Sequence, residues 1–455
     1  MSRSDLERRL AEVGQSHLLR FADRLSPQRL AALCTQIEAL DFAWLAHAWK
    51  NAPTAPDPAK LAPYPNVVRE DDADRAAAIA RGEQALRDGR AGTLLVAGGQ
   101  GSRLGFDGAK GNYPIGPVSR HTLFQIHAER TVALGRRYGV IPPLYVMTSA
   151  QNDDETREAF AKAKNFGLPD DRVLIFQQGQ APSFDEQGKL LLAAEDALVL
   201  AANGNGGLFL AMREGGAFAH MAKNGVDIIS YIHVDNPLAL SCDARFIGYH
   251  LMRESDYSCK ALYKTGPKEA IGTFALVDGK PRIVEYTVIP AELAHQKNAA
   301  GELAFGWGSP GFFLWSRAFA EAQANRIDLP VHKAHKKLAH VDETGKLVEP
   351  KAPNGYKLEM FAMDTLPDAP RVLILACDRD AEFAPVKNAD GVDSVGSARA
   401  MMSALHRKWL ERAGAEIVGD PAIEISPLAA LDASDLGKRD VTIDRDTFLN
   451  DKERA

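Results

Sequence analysis

The sequence predicts an α/β protein: a Rossmann-like, mostly parallel mixed sheet, preceded by a helical region and followed by a small C-terminal appendage. Three observations carry this expectation. Apolar runs of strand length recur at 93–97, 144–148, 173–177, 226–233 and 372–376. Segments with helical periodicity, such as 122–138 and 154–164, lie between them, and such alternation marks a parallel sheet covered on both faces. The first run empties into a loop holding Gly98, Gly99, Gly101 and Gly105. Ligands of such sheets bind beyond the carboxyl ends of the strands.

The elements follow in chain order. The first fifty residues read as helices: Ser4 and Glu7 have capping-box spacing, and Ser26 precedes Pro27 as a cap precedes a first-turn proline. Leu30, Leu33, Ile37 and Leu40 recur at helical spacing as a core-facing stripe. Pro53, Pro56, Pro58, Pro63 and Pro65 mark 51–65 as an extended connection. A polar, Ala-rich helix over about 71–90 leads into the glycine loop. Late in the chain, Ala398, Met402, Leu405 and Trp409 form an amphipathic stripe with Ser397 as its cap and Gly414 as its stop. One more apolar segment at 423–428 precedes a charged tail. The expected division is a helical region over 1–88, an α/β domain over 89–395 and an appendage over 396–455.

Composition narrows the function. The 455 residues carry 54 Lys+Arg against 60 Asp+Glu, a formal charge of −6. This argues against a general nucleic-acid or anionic-membrane surface. Four cysteines without C-x-x-C spacing suggest neither a disulfide framework nor a zinc site. The opening MSRSDLERRL has no apolar core of a signal peptide, and no apolar run reaches spanning length. A cytoplasmic protein is expected.

The glycine loop points to phosphate, because glycines let main-chain N–H groups converge on an anion. Arg103 and Lys110 add charge where a polyphosphate would sit. Lys110 follows Ala109 and precedes Gly111, so the Walker A pattern fails. Three residues separate Gly101 from Gly105, so the dinucleotide fingerprint fails too. Farther on, Asp235 ends a buried strand, and Mg²⁺ takes one or two carboxylates together with phosphate oxygens. The competing reading of Asp235 is a turn cap before Asn236-Pro237. His233 reads as packing, since Mg²⁺ (or Mn²⁺) prefers oxygen.

The series GGQGSRLG, AKGNYPIG and SRHTLFQIHAER over 98–130 resembles the eukaryotic-type UDP-sugar pyrophosphorylases, most closely the UDP-N-acetylhexosamine enzymes. The resemblance continues through FQQGQAPSFD, NGNGGLF, HVDNPLAL, IVEY, PNGYKLEMFAMD, EFAPVKNADG and IEISPL. It implies a glycosyltransferase-A-like nucleotidyltransferase core that joins UTP and a hexose 1-phosphate into a UDP-sugar and pyrophosphate. Arg103, Lys110 and Lys387 would be the catalytic cations, with Lys387 bridging the sugar phosphate and the α-phosphate. Gly98, Gly99 and Gly101 would hold phosphates, and Gln178, Gly206 and Gly207 the base. Glycine at the last two positions would leave room for a planar ring against backbone. Asn205, Gly272, Glu285, Ser309 and Lys357 would face the sugar, while Asn354-Gly355 on residue type alone is a plain turn. Asp235 would bind Mg²⁺ (or Mn²⁺).

One segment departs from the pattern. Where the N-acetylhexosamine enzymes carry a GNIANH-like run, this chain has GSPGFF at 308–313, placing Ser309, Phe312 and Phe313 at the Asn, Asn and His positions. Losing one buried hydrogen-bond partner costs about 1–3 kcal/mol, which shifts sugar preference roughly 5- to 150-fold. N-acetylglucosamine 1-phosphate is the first expectation, with glucose or galactose 1-phosphate, or broad specificity, as the alternative. Two other classes remain: a transferase that consumes a UDP-sugar, and a UDP-sugar-binding protein without catalysis.

Overall fold

The computed structural model describes residues 2–53, 55–69, 73–326 and 328–451. The chain divides into two compact units, each built from three stretches of sequence. The first comprises Met1–Ala55, Gln178–Leu208 and Asn325–Thr365; the second comprises Pro56–Gln177, Phe209–Ala324 and Leu366–Ala455. This differs from the linear division expected above, because the N-terminal helices do not close a core alone. In the first unit, Leu6, Leu10, Leu33 and Ile37 pack with Phe184, Leu190 and Leu358. Its helices span Arg3–Glu12, Pro27–Glu38 and Phe42–Lys50. Ser26 caps the second of these as expected, accepting from Arg29 N. The first is capped by Ser2 rather than Ser4, since only Ser2 has the extended backbone that aims its hydroxyl at Asp5 N.

The second unit is organised by a twelve-stranded sheet. In chain order its strands are β1 (Leu61–Pro63), β2 (Val67–Val68), β3 (Ala91–Val96), β4 (Leu144–Thr148), β5 (Val173–Gln177) and β6 (Ile228–His233). They continue with β7 (Tyr257–Tyr263), β8 (Thr273–Val277), β9 (Lys280–Val284), β10 (Trp307–Gly308), β11 (Phe313–Ser316) and β12 (Val372–Ala376). The order runs β1-β8-β10-β7-β11-β6-β3-β4-β5, with β9 on β8, and β12 joining β7 to β2. The pairs β6–β3, β3–β4, β4–β5, β7–β12 and β2–β12 are parallel. Antiparallel β11 sits between β6 and β7. The proline-rich stretch is therefore not all connection: Leu61–Pro63 within it forms β1, Pro63 is tolerated at a strand end, and β2 follows just beyond it.

Helices α1 (Arg75–Arg87), α2 (Leu123–Tyr138), α3 (Asp153–Lys162), α4 (Ala244–Met252) and α5 (Val395–Arg412) belong to this unit. The helix expected from 71 begins at Arg75, and positions 70–72 lie outside the described residues. Thr122 caps α2 by accepting from Gln125 N. Ser394, not Ser397, caps α5: Ser397 is the third helical residue and closes a reciprocal capping box. The cap thus lies three residues before the one expected from the sequence. Gly414 follows the helix with φ +99°. In the appendage, Glu424 accepts from Val118 N at 2.8 Å, Ser119 N at 2.7 Å and Ser119 Oγ at 2.6 Å. This ties the IEISPL motif to the turn downstream of the glycine loop. All four cysteines are free. Among the described residues, no helix is long and apolar enough to cross a membrane.

Candidate active site

In the second unit, β3 and β6 are parallel neighbours, with Val96 opposite His233. Gly98 and Asp235 therefore emerge from the carboxyl ends of adjacent strands, as expected. The glycine loop leaves β3, folds back on itself and returns as a narrow hairpin. Gly101 N donates to Gly108 O at 2.9 Å and Lys110 N to Gly99 O at 3.0 Å, while Gln100 bridges Ala109. Gly111 is demanded by close approach: a Cβ there would lie 2.1 Å from Cζ of buried Phe124.

The return limb delivers Lys110. Its Nζ lies 3.4 Å from Asp235 Oδ2 and 3.4 Å from Val386 O. The side chains of Lys110 and Asp235 are 15% and 22% exposed, so the pair is sheltered yet reachable. Val386 N donates to Asp235 O at 2.8 Å, which fixes the Lys387 segment beside the carboxylate. Lys387 Nζ itself stands 3.7 Å from Asp393 Oδ2, and Lys387 N donates to Asp393 O at 2.7 Å. The structure thus brings together Lys110, Asp235 and Lys387, three residues far apart in sequence. Arg103 is exposed on the loop and makes no polar contact among the described residues.

Burial pushes His233 below the ordinary imidazole range; Asp235 raises it, and Lys387 and Lys110 lower it further. Its Nε2 is 3.2 Å from Tyr231 OH. The ring packs edge-on against Tyr231. Among the described residues, no group of three or more His, Cys, Asp or Glu could hold a metal. A single sheltered carboxylate fits Mg²⁺ nonetheless, because that ion keeps several waters and takes phosphate oxygens.

Gly272, Glu285 and Ser309 meet at one end of β8, β9 and β10. Thr273 pairs with both Val284 and Gly308, and Ser309 N donates to Gly272 O at 2.7 Å. Glu285 is exposed there. Phe312 and Phe313, which stand at the second Asn and the His positions of the altered segment, face the protein core. Both are core residues: Phe312 is 2% exposed, and Phe313 stacks on Tyr231 at 5.2 Å and meets Tyr257 edge-on. Of the altered segment, Ser309 alone keeps a polar side chain at the Gly272 end.

The first unit carries the remaining candidates. Asn205 Oδ1 accepts from Ala362 N at 3.0 Å, and Gly206 N donates to Met360 O at 2.8 Å. A Cβ on Gly206 would lie 2.6 Å from Met360 C, and one on Gly207 would lie 2.3 Å from Asn203 Oδ1. The unit's own packing therefore demands these glycines, a different physical reason from the one inferred in sequence. Gln178 is half-buried. Lys357 is a half-buried strand residue opposite Ala334. Asn354 is no plain turn residue: it accepts from Leu338 N at 2.8 Å and donates to Leu338 O at 3.1 Å.

Sequence reasoning missed Asn236, Lys260 and Glu382. Asn236 Oδ1 accepts from Leu238 N and Ala384 N, and its Nδ2 donates to Glu382 O at 2.8 Å. The only local signal was the Asn-Pro pair, which was read as a turn.

These features define an α/β protein built on a mixed sheet, with a glycine hairpin and a lysine–aspartate pair at the carboxyl ends of adjacent parallel strands. Within that class, residues 55–427 match the model of the UTP–glucose-1-phosphate uridylyltransferase family. The chain belongs to this family. It is 34% identical to the human UDP-N-acetylhexosamine pyrophosphorylase-like protein 1, over 94% of this chain and 93% of that protein. It is 32% identical to the UDP-N-acetylglucosamine pyrophosphorylase of Saccharomyces cerevisiae, over 94% and 90%. The uridine diphosphate N-acetylglucosamine pyrophosphorylase of Trypanosoma brucei, solved with an inhibitor, superposes with TM-score 0.80 at 28% identity, covering 98% of this chain and 99% of that one.

Proposed function

We propose that the chain is a uridylyltransferase that makes a UDP-sugar and pyrophosphate from UTP and a sugar 1-phosphate, with N-acetylglucosamine 1-phosphate as its preferred acceptor. The observation that carries the chemistry is the approach of Lys110, Asp235 and Lys387 beside the glycine hairpin. In the reaction a sugar-phosphate oxygen attacks the α-phosphorus of UTP, one P–O bond forms, and the bond to the β-phosphate breaks as pyrophosphate leaves. The protein's part is positioning and charge. Hairpin N–H groups and Lys110 hold the triphosphate, with Arg103 on the exposed side toward the leaving pyrophosphate. Lys387 exchanges its long contact with Asp393 for the incoming phosphate. Asp235 is the ligand for Mg²⁺ (or Mn²⁺), which supplies Lewis-acid neutralisation of phosphate charge. Gln178, Gly206 and Gly207 serve the uracil; Gly272, Glu285 and Ser309 serve the sugar, with Asn205 and Lys357 assigned there too. The acceptor rests on relatives that are N-acetylglucosamine enzymes by name.

The test is pyrophosphate release from UTP across a panel of sugar 1-phosphates. N-acetylglucosamine 1-phosphate should be turned over fastest. Glucose 1-phosphate outpacing it about tenfold, a difference near 1.4 kcal/mol, would refute the acceptor. Consumption of a UDP-sugar without any exchange of pyrophosphate would refute the reaction class.

A further inference from the structure

Helix α3 opens with NDDE, and its cap residue does something a cap does not. Asn152 occupies the N-cap position but makes no cap bond to its own helix. Its Nδ2 donates instead to Ala97 O at 2.8 Å and Gly99 O at 3.2 Å, the outgoing limb of the glycine hairpin. Its Oδ1 accepts from Ser149 N at 2.8 Å and Ser149 Oγ at 3.1 Å, so the amide orientation is fixed from both ends. The residue is 1% exposed. One turn on, Glu155 holds the returning limb: Oε2 accepts from Ala109 N at 2.6 Å and Oε1 from Asn112 Nδ2 at 2.8 Å. A third tie, Gln100 Nε2 to Gln151 O at 3.1 Å, joins the hairpin to the same turn. The helix start is itself anchored, since Asp153 accepts from Thr148 Oγ1 and from Arg157 Nε.

We infer that Asn152 and Glu155 are positioning residues for the nucleotide triphosphate: the first turn of α3 clamps both limbs of the hairpin and fixes where its N–H groups point. A hairpin rich in glycine has many accessible backbone conformations, and an anion cradle is effective only when its donors are aligned before the ligand arrives. Neither residue touches phosphate. Ala97 O and Gly99 O, once anchored, set the direction of the peptide groups that follow; Ala109 N, once anchored, sets the approach of Lys110.

The inference rests on the uridylyltransferase reading for the identity of the anion, so binding and turnover are measured separately. UTP affinity is read by calorimetry, and KM for each substrate and kcat by pyrophosphate release. The variants are Asn152→Ala, Asn152→Ser and Glu155→Gln, each with its thermal midpoint. Asn152→Ala should weaken UTP binding about tenfold, the equivalent of one lost hydrogen bond, with KM for the sugar 1-phosphate unchanged. Asn152→Ser, which keeps one hydroxyl donor, should recover part of that loss. Glu155→Gln keeps its shape but loses one acceptor, and should also raise the UTP dissociation constant; it carries the test if Asn152→Ala does not fold. Unchanged UTP affinity in the folded variants would overturn the clamp. So would equal losses toward both substrates that track the thermal midpoint. UTP binding without pyrophosphate release in the parent chain would overturn the reaction while leaving the clamp measurable. No UTP binding by the parent would overturn both.

Discussion

Lys260→Met should unfold part of the site's support, and the structure says by how much. Lys260 lies on β7 with 0% exposure, its Nζ 2.7 Å from Asp243 Oδ2 and also in contact with Glu382 Oε2. Burial lowers the lysine's pKa, and the two carboxylates more than reverse it, so the ammonium is held charged. At 2.7 Å one such pair is worth about 6 kcal/mol of Coulomb energy at an effective dielectric near 20, before desolvation is subtracted. Removing the cation leaves two carboxylates buried together, at a net cost of about 3–5 kcal/mol. For a unit of roughly 330 residues this lowers the thermal midpoint by about 4–7 °C. Glu382 is already pushed up by burial, with Lys260 opposing and Asp243 adding to the rise. In the variant it is the group that takes up a proton, so the loss should be smaller at pH 5 than at pH 7. Turnover of the folded fraction should fall as well, because Glu382 O anchors Asn236 beside Asp235. Urea denaturation at both pH values and pyrophosphate release at pH 7 make the assay. A loss under about 1 kcal/mol, or one equal at the two pH values, would refute the reasoning.

The other expectations concern the site, the hairpin and acid stability. Lys110→Ala and Asp235→Ala should each cost no more than about 1 kcal/mol of stability, as a sheltered but solvent-reached pair, while lowering kcat at least about a hundredfold. Circular dichroism and pyrophosphate release check this, and normal turnover in either folded variant rejects the assignment. Gly111→Ala places a methyl group against Phe124 and should destabilise by about 1–3 kcal/mol, with a raised KM for UTP; an unchanged denaturation midpoint rejects the close-packing argument. Burial lowers His127 to about 3 and His250 and His406 to about 4. The unfolded chain, with imidazoles near their ordinary 6.5, binds more protons, so stability rises with pH. The contribution is complete above pH 6.5 and is lost as pH falls through that value toward 4, by up to about 1.4 kcal/mol per pH unit for each histidine. Denaturation midpoints that stay flat from pH 7 to pH 5 would contradict it.

What the sequence made legible and what it hid differ for one physical reason. Strands such as β4 are buried throughout, and a run of LYVMT reports that burial in its own composition. The placement of Gly98 and Asp235 was legible for the same reason, because each follows a strand that announces itself. Caps were legible only to within a turn: Ser26 had no rival, whereas Ser394 and Ser397 compete, and the winner depends on where the backbone leaves the helix. The rest is pairing between distant segments, which no local pattern records. The Lys387 segment is tied to Asp235 by a bond that its neighbour Val386 N donates to Asp235 O. Gly206 is required by Met360, and the full burial of Lys260 by carboxylates from two other segments. The same blindness applies to Asn152 and Asn236. An asparagine beside a helix start or a proline reads as a cap or a turn, yet these two spend their amides on main-chain carbonyls of other segments. A phosphate loop cannot fix its own shape if it is to stay rich in glycine. The residues that fix it must therefore come from outside the motif, and they are polar, buried and unremarkable in sequence.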